Sequence, residues 1–499
     1  MISLGTDLGM GQPMDHVMRQ SLIALRLAER LGLDEAARAV VYYVGLLGWV
    51  GCHVDAYEQA KWFGDDRALK ADARGVDMAG VAAQAFVLSR VGAGRGLAER
   101  ARLGVRFVGE GRRVANEMIA NHWLATNELA ARLGLAPDVR QALYQTFERW
   151  DGNGVPAEVK GEEILVPARL VTLADVVEIY HRTGGVSAAV AVARARSGSQ
   201  FDPALVDLFC SEAPVLFAEI EAVTTWSAVI DAEPALRMVL SEEELESALE
   251  AVADFTDLKS PWTIGHSRGV ADLACAATKS FGLSDADARL VRRAGLVHDL
   301  GRLGVSNAIW DKRGPLTPAE LERVRLHPYL TERMLAPSAA LSQLGTIAVQ
   351  HHERLDGSGY PRGLRRDAST PAGRILGAAD AYHAMTEPRP HRAARSAEEA
   401  AAELREGGRR GLFDGDAIDA VLRAAGHRVR RRRERPAGLT SREIEVLGLL
   451  VRGLSNREIA EQLVISRRTA GSHVEHIYAK IGVSNRARAS LFAIKHGLI

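Results

Sequence analysis

The sequence of 499 residues is poor in cysteine, and its few cysteines are poorly placed for cross-linking or metal binding. The three cysteines, Cys52, Cys210 and Cys275, lie far apart and form no Cys-x-x-Cys pair. This spacing excludes a disulfide-rich scaffold and argues against a cysteine-ligated structural zinc site. We expect buried, reduced thiols, as in a cytoplasmic protein.

Long apolar runs and an excess of charge of one sign are absent too. No apolar run reaches the eighteen or so residues that span a bilayer, and the N-terminus lacks the basic-then-apolar layout of a signal peptide. The formal net charge is zero, so no global field attracts an anionic partner. We therefore expect a cytoplasmic chain without membrane contact, in which any basic surface is local.

Alternating strand patterns are scarce, whereas helical patterns occur along almost the whole chain. Ala, Leu, Arg and Glu dominate, and apolar residues recur at intervals of three and four, as in 17–31 (VMRQSLIALRLAERL) and 35–47 (EAARAVVYYVGLL). The sequence predicts an all-α fold. Its length predicts more than one domain.

An internal repeat divides the first 425 residues. The stretch QHHERLDGSGYP at 350–361 agrees with QTFERWDGNGVP at 145–156 in seven of twelve positions, at a separation of 205 residues. The same separation relates His122 to His327 and Asp175 to Asp380, whereas His16 and His266 are 250 residues apart. We predict two copies of one helical domain, the first copy at 13–210 and the second copy at 255–425. The first copy carries an insertion at about 57–105.

Two connecting segments complete this division. Residues 211–254 are predicted to be a helical connector, whose last helix begins at a capping box formed by Ser241 and Glu244. The second copy is followed by an arginine-rich linker at 426–435, which contains RVRRRRER with a net charge of +5. A solvated linker and a contact to the DNA backbone are both compatible with this run.

The second copy contains histidines and aspartates in an order that indicates a metal site. Mixed imidazole and carboxylate ligands suit a pair of divalent ions, with iron or manganese favoured and zinc possible. Neighbouring side chains on a helix point about 100° apart, so adjacent ligands can address different metals. The residues in question are His266, His298, Asp299, His327, His351, His352 and Asp380.

His327-Pro328 and four longer stretches of the second copy resemble the HD-GYP family, a group of metal-dependent phosphodiesterases within the HD superfamily. The longer stretches carry most of the resemblance. They are GHSRGVADLA (265–274), GLVHDLGRLGV (295–305), QHHERLDGSGYPRGL (350–364) and GRILGAADAYHAM (373–385). The resemblance implies hydrolysis of cyclic di-GMP. Two metals can polarise a phosphodiester and neutralise charge during in-line attack.

The resemblance also implies a role for each matching position. The metal ligands are the seven histidines and aspartates named above, with Asp299 bridging two ions. Arg302 acts beside Asp299 in catalysis, where the family usually has lysine. Substrate is contacted by Gly357, Gly359, Tyr360, Arg389 and Arg392. Trp262 replaces a glutamate that binds a third metal in some members, so we expect two ions. His383 replaces an aspartate, and we expect it to support the site without binding metal.

The first copy lacks most of these groups. It keeps His16, His122 and Asp175, but Gly48-Trp49 and Thr146-Phe147 replace the paired ligands, and Gly184 and Ser187 replace the two arginines. We expect no catalysis here, and expect Trp49 and Phe147 to fill the former metal site. Two roles stay open: packing against the second copy, or a pocket for an effector.

Residues 436–499 follow a different pattern, with four short helices at about 441–452, 455–463, 467–481 and 485–496. Thr440 with Glu443 predicts a capping box, and Ser466 caps the third helix. This segment resembles the LuxR-type helix-turn-helix domain. The resemblance places these residues at DNA, the last of them at a phosphate: Arg467, Arg468, Thr469, Ser472, His476 and Lys480. Gly471 and Glu475 stand where relatives often carry lysine.

Together these features predict a cytoplasmic transcriptional regulator, in which an HD-GYP-like domain hydrolyses or senses a cyclic dinucleotide. The expected partners are double-stranded promoter DNA, the cyclic dinucleotide and a second copy of the chain. Two alternatives stay open. The HD-GYP fold could be inactive and respond only to a ligand, or it could hydrolyse another phosphorylated metabolite.

Overall fold

The computed structural model describes residues 1–156, 159–233, 240–429, 436–463, 465–496 and 498, with the side chains of Arg112 and Ser441 excepted. Residues 430–435 of the predicted arginine-rich linker lie outside the described residues. The described residues form α-helices, four short 3-10 helices and a few isolated bridges, but no β-strand. The prediction of an all-α fold is confirmed.

The helices follow the chain in this order. Those of the N-terminal part are Ile2–Gly9 (α1), His16–Arg30 (α2), Glu35–Leu47 (α3), Ala56–Phe63 (α4), Asp66–Ala73 (α5), Gly80–Arg90 (α6), Leu97–Arg132 (α7), Pro137–Tyr144 (α8), Val166–Ala195 (α9, broken at Gly184–Gly185), Pro203–Glu221 (α10), Thr225–Asp231 (α11) and Glu242–Asp257 (α12). Next come His266–Phe281 (α13), Asp285–Val297 (α14), Asn307–Trp310 (α15), Pro318–Arg325 (α16), His327–Leu335 (α17), Ala339–Ala348 (α18), Pro371–Thr386 (α19), Ala397–Arg409 (α20) and Gly415–Ala424 (α21). The last four are Ser441–Val451 (α22), Asn456–Leu463 (α23), Arg467–Ile481 (α24) and Arg486–Lys495 (α25). The 3-10 helices are Val50–His53, Gly161–Glu163, Leu300–Gly304 and Pro436–Gly438.

The chain forms two compact units, Met1–His427 and Arg428–Ile499. In the first unit, one hydrophobic core combines side chains from both predicted copies, including Leu27 and Leu173 of the first and Leu300 and Leu303 of the second. Each fully buried leucine contributes about 1.5–3 kcal/mol. The two copies therefore fold as one body. The exact domain boundaries stay a prediction.

Both copies contain the same close crossing of two helices. In the first, a Cβ on Gly45 of α3 would lie 2.6 Å from Oγ of Ser21 on α2. In the second, a Cβ on Gly295 of α14 would lie 2.7 Å from Cα of Ala271 on α13. Only glycine permits this approach. The pairs Ser21/Ala271 and Gly45/Gly295 are each 250 residues apart, the separation found for the histidines that begin α2 and α13.

The region predicted as an insertion is helical. It holds most of α4, all of α5 and α6, and the beginning of α7. Helix α5 packs near the second copy, where the Asp65 carboxylate lies 3.8 Å from the Arg323 guanidinium. The predicted capping box of Ser241 and Glu244 is present at α12.

In the part of the chain that the structure describes, no helix by itself combines the length and apolar character needed to cross a bilayer, whereas two sharply bent helix pairs reach those limits by length and composition.

The C-terminal unit is a small helical bundle around its own apolar core. Its first helix, α22, begins at the predicted capping box of Thr440 and Glu443, and Ser466 accepts the Thr469 N–H at the start of α24. Helix α24 ends at Gly482, which has a φ of 66° and thus the left-handed conformation that glycine favours. Local capping chemistry therefore specifies this unit closely.

Candidate functional site

Six of the seven residues predicted to bind metal sit at or just beyond helix ends, and glycine allows two of these ends to meet. His266 and His327 begin α13 and α17, and His298 and Asp299 follow α14. A Cβ on Gly301 would lie 1.9 Å from the carbonyl oxygen of His327, so no other residue permits this approach without a shift. The local sequence thus brings separate ligand-bearing segments to one point.

Asp299 lies at the centre and faces histidines on both sides. Its Oδ1 is 3.3 Å from Nε2 of His327 and 3.7 Å from Nε2 of His351. Its Oδ2 is 3.7 Å from Nε2 of His298 and 3.8 Å from Nε2 of His266. The two oxygens of one carboxylate therefore address two separate pairs of imidazoles, as a bridging ligand does.

Asp380 closes the site from α19. Its Oδ1 is 3.3 Å from Nε2 of His266 and 3.8 Å from Nε2 of His298, and its Oδ2 is 3.9 Å from Nδ1 of His352. His352 is partly exposed, whereas the other ligand residues are buried. All seven predicted ligands are thus brought together, with one open side at His352.

Three of the histidines are oriented by the backbone. Nδ1 of His298, His327 and His351 lies 2.7, 2.6 and 2.6 Å from the carbonyl oxygen three residues earlier. A proton on each Nδ1 leaves the Nε2 lone pair facing Asp299 and available to bind an ion, an arrangement typical of metal-binding histidine. The backbone therefore fixes both the tautomer and the ring direction.

The charge state of the site fits a divalent metal. Nε2 of His298 is buried and has no hydrogen-bond partner among the described residues, which is costly unless an ion binds it. Burial and the neighbouring imidazole of His298 lower the pKa of His351 to about 3. Burial alone would raise the pKa of Asp299, but the Arg302 guanidinium and the nearby imidazoles hold it well below its ordinary value. Neutral imidazoles and ionised carboxylates are the forms that bind metal. The exception is His266, because the nearby carboxylates raise its pKa to about 9 in spite of burial, so that an ion would displace its proton.

Arg302 lies directly against the centre. Its Nη1 donates to Oδ2 of Asp299 at 2.8 Å, and its guanidinium lies 4.2 Å from the ring centroid of Trp310. The arginine is held by a charge-assisted hydrogen bond and by stacking on an aromatic face. It therefore lies beside the proposed bridging ligand, and its role in catalysis stays a prediction.

The arginines predicted to reach substrate are partly engaged elsewhere. Arg389 donates to the carbonyl oxygen of Trp262 at 2.7 Å and to Oε2 of Glu387 at 2.8 Å. Arg392 donates to carbonyl oxygens at the end of α19, including that of Glu387. Arg389 lies near His266, at 3.4 Å from its Nδ1, whereas Arg392 supports the helix end. Substrate contact by both arginines stays a prediction.

Glu387 is a site residue that the sequence interpretation missed. Its Oε2 lies 2.8 Å from Nδ1 of His266, and its Oε1 lies 3.4 Å from Nδ1 of His383. His266 is thus the one ligand histidine, among the four with a buried ring, whose Nδ1 meets a carboxylate in place of a carbonyl. The donor atoms of His266, His383 and Glu387 lie within 4.8 Å of one another and form a further candidate cation group. The sequence signal that could have revealed Glu387 is its position two residues before Arg389, a predicted substrate residue.

The predicted substrate loop has the same backbone in both copies. A Cβ on Gly359 would lie 2.3 Å from the Arg354 nitrogen, and one on Gly154 would lie 2.5 Å from the Arg149 nitrogen. Gly357 has a φ of 86°, which favours glycine. In the second copy the Tyr360 ring packs 4.7 Å from the imidazole of His352, at the open side of the site.

In the first copy an arginine lies where the second copy gathers metal ligands. The carboxylate of Asp175 lies 3.1 Å from Nε2 of His16 and forms an ion pair with Arg74, which follows α5. The Arg74 guanidinium lies 4.2 Å from the ring centroid of Trp49, and Trp49 packs edge-to-face on Phe147. The sequence interpretation expected the two aromatic rings but missed the buried cation.

The C-terminal unit exposes most residues predicted to meet DNA. Arg467, Arg468 and Thr469 are exposed at the beginning of α24, and Ser472 and His476 continue the same surface one and two turns later. Lys480 differs, because its ammonium donates to Oε2 of Glu443 at 2.8 Å. It supports the bundle in this structure. Its contact with phosphate stays a prediction.

Comparison with known proteins identifies both units. A model of the HD domain family matches residues 112–205 and 250–417, and one of luxR family bacterial regulatory proteins matches residues 437–493. The 3'3'-cGAMP-specific phosphodiesterase 3 of Vibrio cholerae serotype O1 is 33% identical over 412 residues, which are 81% of this chain and 90% of the relative. The chain belongs to the HD-GYP family. Its C-terminal unit is a LuxR-type domain.

Further relatives extend the HD-GYP assignment. A solved structure of a cyclic GMP-AMP specific phosphodiesterase from V. cholerae matches with a TM-score of 0.59 at 28% identity, covering 86% of this chain and 97% of that one. A cyclic di-GMP phosphodiesterase of Thermotoga maritima is 33% identical over 184 residues, which are 36% of this chain and 50% of the relative. The predictions of an HD-GYP metal-dependent phosphodiesterase and of a LuxR-type domain are confirmed.

Proposed function

We propose that the second copy hydrolyses a cyclic dinucleotide with two divalent metal ions, and that the LuxR-type domain binds promoter DNA. The observation that carries the proposal is the convergence of the imidazoles on both oxygens of Asp299, with Nε2 of His298 buried and without a hydrogen-bond partner in the described structure. The names of the relatives support both cyclic di-GMP and 3'3'-cGAMP as substrates.

The residues on the two sides of Asp299 would each hold one metal ion. His327 and His351 would hold one ion and His266 and His298 the other, with Asp299 between them and Asp380 and His352 completing the set. When bound, the metals supply Lewis acidity and activate water. Iron or manganese suits these ligands best. Arg302 orients Asp299, and Tyr360 forms one wall of the open side, where a base could stack.

The test combines metal analysis with turnover of both nucleotides. The full chain is purified, bound iron, manganese and zinc are measured, and hydrolysis of cyclic di-GMP and 3'3'-cGAMP is followed. We expect about two metal ions per chain and turnover of at least one nucleotide. Metal-loaded protein that hydrolyses neither nucleotide contradicts the proposal, and binding without turnover supports the alternative of a ligand-responsive HD-GYP fold.

For the LuxR-type domain we propose that the exposed stripe of Arg468, Ser472 and His476 enters the major groove. These positions are four residues apart, so they lie on one face of α24. Arg468→Ala is expected to weaken binding to DNA from upstream of the gene and to lower the salt dependence if it contacts phosphate. Arg457→Ala, an exposed arginine on α23, is the matched control. Equal affinities of the two variants contradict this assignment.

We further propose that the chain forms a homodimer through α7. Leu97, Val105 and Val108 are 88%, 78% and 80% exposed, and they lie within roughly 80° of one another on the helix. The flanking charges are of both signs and pair within the helix, so a second copy meets no charge repulsion. Sedimentation should show monomers for Val105→Glu combined with Val108→Glu. Leu124→Glu, on the opposite side of α7, should stay dimeric, and a dimeric double variant contradicts the interface.

A further inference from the structure

Asp66, in the first copy, reaches into the second copy. It begins α5, its side chain is fully buried, and its Oδ1 accepts hydrogen bonds from Oγ of Ser306 at 2.6 Å and from the N–H of Asn307 at 2.8 Å. These partners are 240 and 241 residues away in sequence. The carboxylate thus joins the insertion of the first copy to the segment that follows the ligands His298 and Asp299.

Buried charged groups around Asp66 stabilise its contact with the second copy. Its Oδ2 lies 3.5 Å from Nζ of Lys70 and 3.6 Å from Nζ of Lys259, and both lysines are buried. Burial alone would raise the pKa of Asp66, but the two ammonium groups and the hydrogen bonds hold it at about 2. Ionised Asp66 therefore makes charge-assisted hydrogen bonds, which are stronger than neutral ones.

The partners of Asp66 lead to the metal centre. Ser306 caps α15, and Trp310 ends that helix. The Trp310 ring lies 5.3 Å from the imidazole of His327 and 4.2 Å from the guanidinium of Arg302, which donates to Asp299. One small cavity is lined by Lys259, Arg302, Asn307 and Trp310, among others. A displacement of α15 would therefore move the Trp310 ring on which the Arg302 guanidinium packs.

We propose that Asp66 is a positioning residue of the phosphodiesterase site, through which the first copy completes the second. By fixing the beginning of α15, Asp66 sets Trp310 under Arg302 and so sets the direction of Arg302 towards Asp299. Asp66 itself does not touch substrate. The inference rests on the proposed function, because it assigns Asp66 to that reaction.

The experiment uses the full chain and measures kcat, KM, bound metal and hydrogen exchange. Substrates are the cyclic dinucleotide that is turned over and bis(4-nitrophenyl) phosphate, a simple phosphodiester. Asp66→Ala is expected to lower kcat about tenfold or more, since small misplacements cost up to about 10²-fold, with KM and metal content little changed. Asp66→Asn should retain more activity, because its amide oxygen still accepts a hydrogen bond.

The matched control is Asp72→Ala, on the same helix but exposed and paired with Arg90. Its kcat should stay within about twofold of the wild type, as expected for a surface position away from the site. A purely structural role of Asp66 would lower the melting temperature but leave kcat per metal-loaded chain unchanged, and that result overturns the inference. If Asp66→Ala does not fold, Ser306→Ala removes one of the two hydrogen bonds, and an unchanged kcat there overturns it as well.

Hydrogen exchange separates this inference from the proposed function. Exchange of residues 300–310 should be faster in Asp66→Ala than in the wild type and unchanged in Asp72→Ala. If the wild type hydrolyses neither substrate, the proposed function fails. The positioning role is then judged on exchange alone, and unchanged exchange in that segment overturns it.

Discussion

The two copies of the HD-GYP fold share the close helix crossing and the glycine loop, but they balance the negative charge of a buried aspartate differently. Asp175 and Asp380 occupy equivalent places, and each lies 3.1–3.3 Å from the histidine that begins α2 or α13. In the first copy Arg74 provides the balancing cation. In the second copy the aspartate faces two further imidazoles, and no arginine of the described residues forms an ion pair with it.

The first copy thus balances its buried aspartate with a cation that belongs to the chain itself. The insertion of the first copy supplies it permanently through Arg74, whose guanidinium also covers Trp49. The second copy leaves the carboxylate and imidazoles of this position available to the metal ions proposed above, which would activate water. One helix, α5, serves both copies, with Asp66 at its beginning and Arg74 just after its end.

The largest expected effect on kcat comes from changing the equivalent aspartate in each copy. Asp380→Asn should lower kcat about 10³-fold or more and reduce bound metal, because a ligand charge is lost. Asp175→Asn should leave kcat within a fewfold of the wild type while lowering the melting temperature. Activity assays and metal analysis on both variants check the comparison. A comparable loss of kcat in both would mean that the first copy takes part in catalysis.

Removal of Arg74 tests the internal cation. Arg74→Met should destabilise the chain by about 4 kcal/mol, because it leaves the buried carboxylate of Asp175 without its main partner. Denaturant unfolding measures the change. Arg90→Met, an exposed arginine paired with Asp72, should cost less than about 1 kcal/mol. Equal costs for the two variants would show that Arg74 does not neutralise the pocket.

The first copy should also give a pH-dependent stability. Burial alone would lower the pKa of His16, but hydrogen bonds to Asp175 and Glu178 raise it from 6.5 to about 9. Because the folded pKa lies above the unfolded one, this stabilisation is complete below pH 6.5 and is lost as the pH rises through about 9. The pKa difference corresponds to about 3 kcal/mol.

The measurement compares the wild type with His16→Gln over this range. Their difference in melting temperature should shrink as the pH rises from 6.5 to above 9. A difference that stays constant would mean that His16 is not charged in the folded state. His266 of the second copy also has a pKa raised to about 9 and would exchange its proton for metal, so both proteins are tested with metal bound.

Much of the fold and the ligand set could be predicted from local patterns. The capping boxes of Ser241 and Thr440, the helix periodicity and the glycines act within a few residues, so they are visible in sequence. The seven predicted ligands lie in motifs that follow one another in the same order as in the HD-GYP family. Arg74 and Asp66 could not be predicted, because nothing local distinguishes them from surface charges of α5. Their roles arise only when the insertion packs between the copies. Lys480 shows the same limit, since its partner Glu443 is 37 residues away.

The smallest expected effect concerns the residue behind the first ligand. Nδ1 of His266 meets Glu387, just after the end of α19, and Nδ1 of His16 meets Glu178, which lies within α9. Glu387→Gln keeps an oxygen that accepts the Nδ1 proton but removes the charge that makes His266 a stronger ligand. Metal affinity should fall about tenfold, the lower end for such outer partners, with kcat at saturating metal within a fewfold of the wild type. Competition with a chelator measures the affinity, and Glu178→Gln should leave it unchanged. Equal shifts in the two variants would mean that the carboxylates stabilise the fold in general and do not tune the metal centre.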